Sequence, residues 1–399
     1  MVGLSLSLST LWPGCAAAFE KDTLTLWCGS DKGYAGLEKL GQEYTARTGV
    51  KVVVRHFDDA VAAFEEAMKA GGRNAPDIWL WAHDRLGDWA RRGWVTPIEP
   101  SADLRADIVQ VGWDAFTLDG KVWGYPLSVE AVALVYNKAL LPSPPKAFEE
   151  LPAIDQQLKA KGARAIGWET GSAYFSWPLL AANGAYVFQR RLDGGYEPRD
   201  TGINHAGAVQ GAEFLAKLIA GGVLPQGGMR YADAEAAMQA GKQAMWITGP
   251  WAWEGLRAKK VDFGVAPLPT LGGKPARPFV GVLGAMLVQG SPNRQRAADF
   301  IEHTLLPKPG LTTLNAAKPI GVPASKAMFW SLYSDPNIRA SMEAIYAGRP
   351  MPSNAEMTLF WQHLTAALQA INTGSKPPRQ ALDDAALAIT GAAKTLAKR

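Results

Sequence analysis

From Thr23 onward the chain alternates short β-type runs with single amphipathic helices, and this alternation limits the possible folds more than any other feature. Thr23 to Trp27 (TLTLW) reads as a strand and Tyr34 to Thr48 as a helix. Lys51 to Phe57 (KVVVRHF) is the next strand, Ala60 to Ala70 the next helix, and Asp77 to Trp81 (DIWLW) a third strand before a helix from Arg85 to Arg92. Strands separated by single helices predict βαβ units and a parallel sheet. Ligands of such sheets lie outside the carboxyl ends of the strands. That rule draws attention to Gly29-Ser30-Asp31-Lys32 and to Ala82-His83-Asp84-Arg85, where an acid stands beside a base at each strand end.

The regularity breaks at Lys121 to Asn137 (KVWGYPLSVEAVALVYN), two β-like runs with Glu130 among apolar neighbours, followed by the Pro-rich turn Leu141 to Lys146. A second alternating region then begins. Helices are expected at Ala147 to Lys161, Trp177 to Asn183, His205 to Ala220 and Ala232 to Ala240, with β-like runs at Ala163 to Trp168, Gln243 to Thr248 and Asp262 to Pro267. Arg277 to Gln289 (RPFVGVLGAMLVQ) has the continuous apolar character of a strand buried on both faces, and the remainder is mostly helical to Arg399. The simplest reading is an α/β protein of two lobes with a shared middle, in keeping with two or three domains for 399 residues.

Residues 1–19 carry no charge and end in Ala16-Ala17-Ala18, so residues 1–18 are expected to be a secretory signal cleaved before Phe19. The run lacks the positive start of such signals, so a truncated leader is expected. Gly14-Cys15 raises a lipid anchor, but Trp12-Pro13 fits the preceding positions poorly. A periplasmic protein is the expectation. Cys15 and Cys28 supply no disulfide framework, and cleavage would leave Cys28 alone. The net charge of +4 (41 Lys and Arg against 37 Asp and Glu) is spread thinly, so no nucleic-acid partner is expected.

The sequence has no G-x-S-x-G elbow, P-loop or G-x-G-x-x-G after a strand, and its five histidines lack metal-ligand spacing. No cofactor or metal is therefore expected. Cys28 has no evident base and reads as an inert buried thiol. What remains is acids and aromatics: Asp31, Asp84 and Glu130 among Trp81, Tyr125, Tyr174, Trp251 and Trp361, in a chain with 15 Trp. Carboxylates accept hydroxyl protons, Lys and Arg donate, and aromatic faces cover the C–H faces of a sugar ring. The mixture suits an uncharged polyhydroxyl ligand in a carrier, or in a glycosidase with two carboxylates astride the bond. Against the glycosidase, no carboxylate stands in an evidently desolvated setting. Each residue also has a plainer role: an acid after a strand caps a helix, and a Trp at helical spacing is core.

Longer stretches break the tie. Asp31-Lys32-Gly33-Tyr34, WAHDR at Trp81 to Arg85, YPLSVEAVALVYNK at Tyr125 to Lys138 and YFSWPLLAANGAY at Tyr174 to Tyr186 are followed by GPWAW at Gly249 to Trp253, KPARPFVGVLGA at Lys274 to Ala285, and Met351-Pro352 before Phe360-Trp361. In this order, over essentially the whole mature chain, the sequence resembles the maltose/maltodextrin-binding proteins of bacterial ABC importers. The resemblance implies a two-lobed periplasmic-binding-protein fold, with residues 19–128 and 285–332 in one lobe and 133–279 and 336–399 in the other. The hinge crossings would lie near Ser128 to Leu134, Phe279 to Ala285 and Tyr333 to Asn337. It also implies a non-catalytic monomer that delivers its ligand to an inner-membrane ABC permease; a chemoreceptor as additional partner is compatible with that role. Trp81, Tyr174, Trp251 and Trp361 match the family's stacking platforms. Asp31, Lys32, Asp84, Arg85, Glu130 and the backbone of Ala82 match its polar contacts, and Met351 an apolar one.

Several positions depart from the family. Gly29 stands where its well-known members have Asn, Asp59 where they have Lys, and Val61 and Ala62 where they have Glu. Ser172 replaces a Glu and Ala173 a Pro; Gln362 replaces a Tyr and Thr365 an Arg. Each lost polar partner is worth about 1–3 kcal/mol when its hydroxyl goes unpaired. These substitutions turn the expectation from long maltodextrins toward a disaccharide of glucose, with maltose and trehalose both open.

Overall fold

The structure is a computed structural model that describes residues 22–191 and 195–396. The residues expected to form the signal lie outside the described residues. Two sheets dominate, each with its own hydrophobic core. In the first, strands Thr23–Gly29, Lys51–Phe57 and Ile78–Ala82 run parallel, as the intervening helices Tyr34–Thr48 and Ala60–Lys69 require. The first of these helices is bracketed by glycines in the left-handed conformation, Gly33 (φ 72°) and Gly49 (φ 75°).

The sheet is not wholly parallel, which corrects the sequence reading. Phe279–Val288, buried at all ten positions, inserts antiparallel between Ile78–Ala82 and Tyr125–Ala131. A strand that returns from the other lobe needs no crossover helix, so the βαβ rule does not bind it. Its two antiparallel neighbours point the same way. The carboxyl ends of Thr23–Gly29, Ile78–Ala82 and Tyr125–Ala131 therefore emerge along one edge, which places Asp31, Asp84 and Glu130 together.

The second sheet has the order Phe263–Ala266, Ala133–Asn137, Gln243–Thr248 and Arg164–Gly167, the last two strands parallel. Only Val132 separates Tyr125–Ala131 in the first sheet from Ala133–Asn137 in the second, so the chain changes lobe within a few residues. The return is as abrupt: Phe279 packs in the second core and Val280 in the first. Helix Pro336–Ala347 carries a third passage, its Ile338 in the second core and Ile345 against the first. Among the described residues no helix is long and apolar enough to cross a membrane.

Candidate functional site

A cavity of about 540 Å³ opens between the lobes. From the first lobe it receives Asp31 and Lys32, the Trp81–Arg85 loop except His83, and Glu130. The second lobe repeats the logic. Tyr174 and Phe175 open helix Ala173–Ala181 after strand Arg164–Gly167, and Trp251 stands in the short turn after strand Gln243–Thr248. Trp361 comes from helix Met357–Thr373, and Met351 from the residues following the two-residue strand Arg349–Pro350. The residues Asp31, Lys32, Trp81, Ala82, Asp84, Arg85, Glu130, Tyr174, Trp251, Met351 and Trp361 thus share one cavity wall.

The platforms are rigid because buried rings support them. Trp81 stacks on Trp79 (centroids 5.5 Å apart, planes 7° off parallel), and Trp79 stacks on Phe64 at 4.6 Å and 3°. Across the cleft, Tyr174 lies 6.3 Å from Trp251 and 6.5 Å from Trp361, with Phe279 behind both Tyr174 and Trp361. Of the tryptophans, Trp79, Trp89, Trp168, Trp246 and Trp253 are fully buried, while Trp81, Trp251 and Trp361 face the cavity.

Between the platforms runs a charged network. Lys32 Nζ is 3.2 Å from Asp31 Oδ2 and 3.8 Å from Glu130 Oε1, and lies 5.4 Å from the Trp251 ring centroid in the other lobe. Burial works against the Lys32 ammonium, but Glu130 and Asp31 outweigh it, so its pKa rises above the ordinary lysine value. Burial raises Glu130, partly relieved by Lys32. It also pushes Asp84 up from 3.8 to about 6, against the Arg85 charge and a hydrogen bond that Trp361 Nε1 donates to Asp84 Oδ2 at 3.1 Å. These carboxylates are desolvated, contrary to the sequence reading, because the rings around them exclude water. Arg85 Nη1 is 3.4 Å from Glu65 Oε1 on helix Ala60–Lys69, which steers the guanidinium.

Of the positions read as departures, Val61 lines the cavity and the others do not. Asp59 caps helix Ala60–Lys69, its Oδ1 accepting from Ala62 N at 3.1 Å, so the plainer role of a strand-end acid applies there. Ser172 and Thr365 line a separate cavity of about 340 Å³ with Glu169 and Asn372. Gln362 is exposed beside Trp361 and does not line the cleft. Gly29 acts by its size: a Cβ there would collide with the Asp31 carboxylate and come within 3.3 Å of the Trp81 ring. Sequence reasoning missed Phe175, Tyr231, Glu235 and Lys318 as lining residues. Phe175 adjoins a platform in sequence; Tyr231 and Glu235, one turn apart on helix Tyr231–Gln239, gave no such signal.

Among the described residues no group of His, Cys, Asp and Glu is arranged to hold a metal ion. The arrangement can grip a small, neutral, hydroxyl-rich molecule between flat apolar faces, with carboxylate acceptors and one ammonium donor in reach.

Comparison with known proteins agrees in kind. The chain is 28% identical to a galactooligosaccharide-binding protein of Bacillus subtilis, with 98% of this chain and 95% of the relative covered. It is 25% identical to a maltooligosaccharide ABC transporter solute-binding lipoprotein of Streptococcus pneumoniae (94% and 90%) and 26% identical to a maltotriose-binding protein of Pyrococcus abyssi (84% and 74%). Residues 29–309, most of both lobes, match the model of one family. With its two-lobed fold and interlobe cavity, the chain belongs to the bacterial extracellular solute-binding proteins.

Proposed function

We propose that this protein captures a neutral glucosyl oligosaccharide, with a disaccharide such as maltose or trehalose preferred, and delivers it to a membrane ABC permease after export. The observation that carries the reading is the interlobe cavity itself: four aromatic platforms surrounding the Asp31–Lys32–Glu130 network and Asp84. Its volume falls within the roughly 300–1,000 Å³ of small-molecule sites. Trp81, Tyr174, Trp251 and Trp361 cover sugar faces; Asp31, Asp84 and Glu130 accept hydroxyl protons; Lys32 and Arg85 donate, with Ala82 and Met351 as flanking contacts. The lobes, taken as residues 19–128 with 285–332 and 133–279 with 336–399, close on the ligand by a hinge movement. The relatives named for galacto- and maltooligosaccharides support the oligosaccharide class and leave the glycosidic linkage to experiment.

The test is calorimetric titration with maltose, trehalose, maltotriose, a galactooligosaccharide and glucose in parallel. A dissociation constant near micromolar, about −8 kcal/mol, is expected for at least one of the first four. Trehalose without maltotriose would assign the retuned periphery a role; silence with every sugar would overturn the reading.

One observation favours a second reading. Desolvated carboxylates with raised pKa, as Asp84 and Glu130 are, are what a glycosidase needs of its general acid. Prolonged incubation with maltose and trehalose, assayed for glucose, separates the two: the carrier releases none, whereas sustained release abolished by Glu130→Gln would establish the hydrolase.

A further inference from the structure

His83 stands between two cavity residues, Ala82 and Asp84, yet its ring is fully buried away from the cavity. Its Nδ1 lies 3.1 Å from the backbone N of Val282, and its Nε2 3.0 Å from the backbone carbonyl of Met351. An amide N–H can only donate and a carbonyl can only accept. The partners therefore dictate the tautomer: Nδ1 accepts, and Nε2 carries the proton and donates. Burial lowers the ring pKa to about 4, so this neutral form persists through the neutral range.

The two partners belong to different segments, one behind the cleft and one lining it. Val282 is in the long strand Phe279–Val288, which pairs with both first-lobe strands that carry cavity residues. Met351 lies just beyond the short pairing of Phe279–Val280 with Arg349–Pro350, and its N–H donates to Val280 at 3.1 Å. Beyond that point the parallel ladder ends, and the Met351 carbonyl is taken up by His83. Packing alone would be met by an apolar side chain without the desolvation cost of a buried imidazole. Two directed bonds to two backbone segments are a reason for histidine.

We propose that His83 is a positioning residue of the ligand cleft: its imidazole clamps Val282 and Met351 so that the Trp81–Arg85 loop and the Met351 segment form one rigid wall. The proposal rests on the sugar-binding reading for its effect on affinity, but not for the clamp itself.

The test compares His83→Leu, which removes both bonds at similar volume, with His83→Gln, whose amide can accept from Val282 and donate to Met351. If the Leu variant does not fold, His83→Asn, too short to span both partners, replaces it. Affinity for the sugar that the wild type binds best should fall about tenfold or more in the Leu variant, the scale of lost outer support, and stay within about threefold in the Gln variant. Unchanged affinity in the Leu variant, or equal loss in both, overturns the proposal. Amide hydrogen exchange of the sugar-free proteins gives an independent reading. The Val282 amide and the 349–353 segment should exchange faster in the Leu variant alone; equal exchange in all three proteins overturns the clamp. Should the wild type bind none of the sugars, the sugar reading fails and hydrogen exchange still decides the clamp.

Discussion

Asp84→Asn should stabilise the sugar-free protein at neutral pH while weakening its sugar binding. Burial raises the Asp84 carboxyl from 3.8 to about 6. At about 1.36 kcal/mol per pH unit, the charged form is disfavoured in the folded chain by roughly 3 kcal/mol. Between pH 4 and 6 the native state keeps a proton that the unfolded chain has released. Stability therefore falls as pH rises through that window and stays lowered above it. An amide carries no such penalty, and its oxygen can still accept from Trp361 Nε1. The variant should be more stable by up to about 3 kcal/mol at pH 7, with the difference closing toward pH 4. The ligand, in contrast, loses a charge-assisted acceptor worth about 1.5–3 kcal/mol for a neutral one nearer 1, or about tenfold in affinity. Urea unfolding followed by tryptophan fluorescence at pH 7 and pH 4.5 measures the first effect, and calorimetry the second. A variant less stable than wild type at pH 7, or a difference that does not narrow as pH falls, refutes the reasoning.

Trp251→Ala should lower sugar affinity by roughly 2 kcal/mol or more, about thirtyfold, while melting near the wild-type temperature, because the ring is half-buried at the cleft surface; unfolding at ambient temperature would make Trp251 structural instead. Asp59→Ala removes the cap on helix Ala60–Lys69 and should cost about 1 kcal/mol in urea unfolding with no change in sugar affinity, and a loss of affinity would return Asp59 to the site. Cys28 is buried, and burial pushes its thiol up to about 12; iodoacetamide at pH 8 should leave it unmodified in the folded protein and alkylate it in urea, and labelling of the native state would contradict that burial.

Much of this architecture could be read from local pattern. Helix Tyr34–Thr48 and strands Lys51–Phe57 and Gln243–Thr248 stand where the periodicity put them, because their apolar spacing and flanking glycines agree with their environment. The strand-end rule for parallel sheets points to Asp31 and Asp84, and both line the cavity. What stayed hidden depends on distant parts of the chain. The direction of Phe279–Val288 follows from its return across the hinge, which no local window contains. The Asp84 carboxylate takes its hydrogen bond from Trp361, 277 positions away. Tyr231, Glu235 and Lys318 reach the cavity through the placement of whole elements, and their side chains carry no mark of it in the sequence. Asp59, at a position where the resembled family has a Lys, satisfies a helix end.

The central claim, that a sugar is held between the two lobes by these rings and carboxylates, is tested most directly by a crystal structure with the tightest-binding sugar of the calorimetric panel. The account predicts sugar faces against Trp81, Trp251 and Trp361 and hydroxyls on Asp31, Asp84 and Glu130. A sugar bound outside the interlobe cavity, with Trp251 and Trp361 untouched, would contradict it.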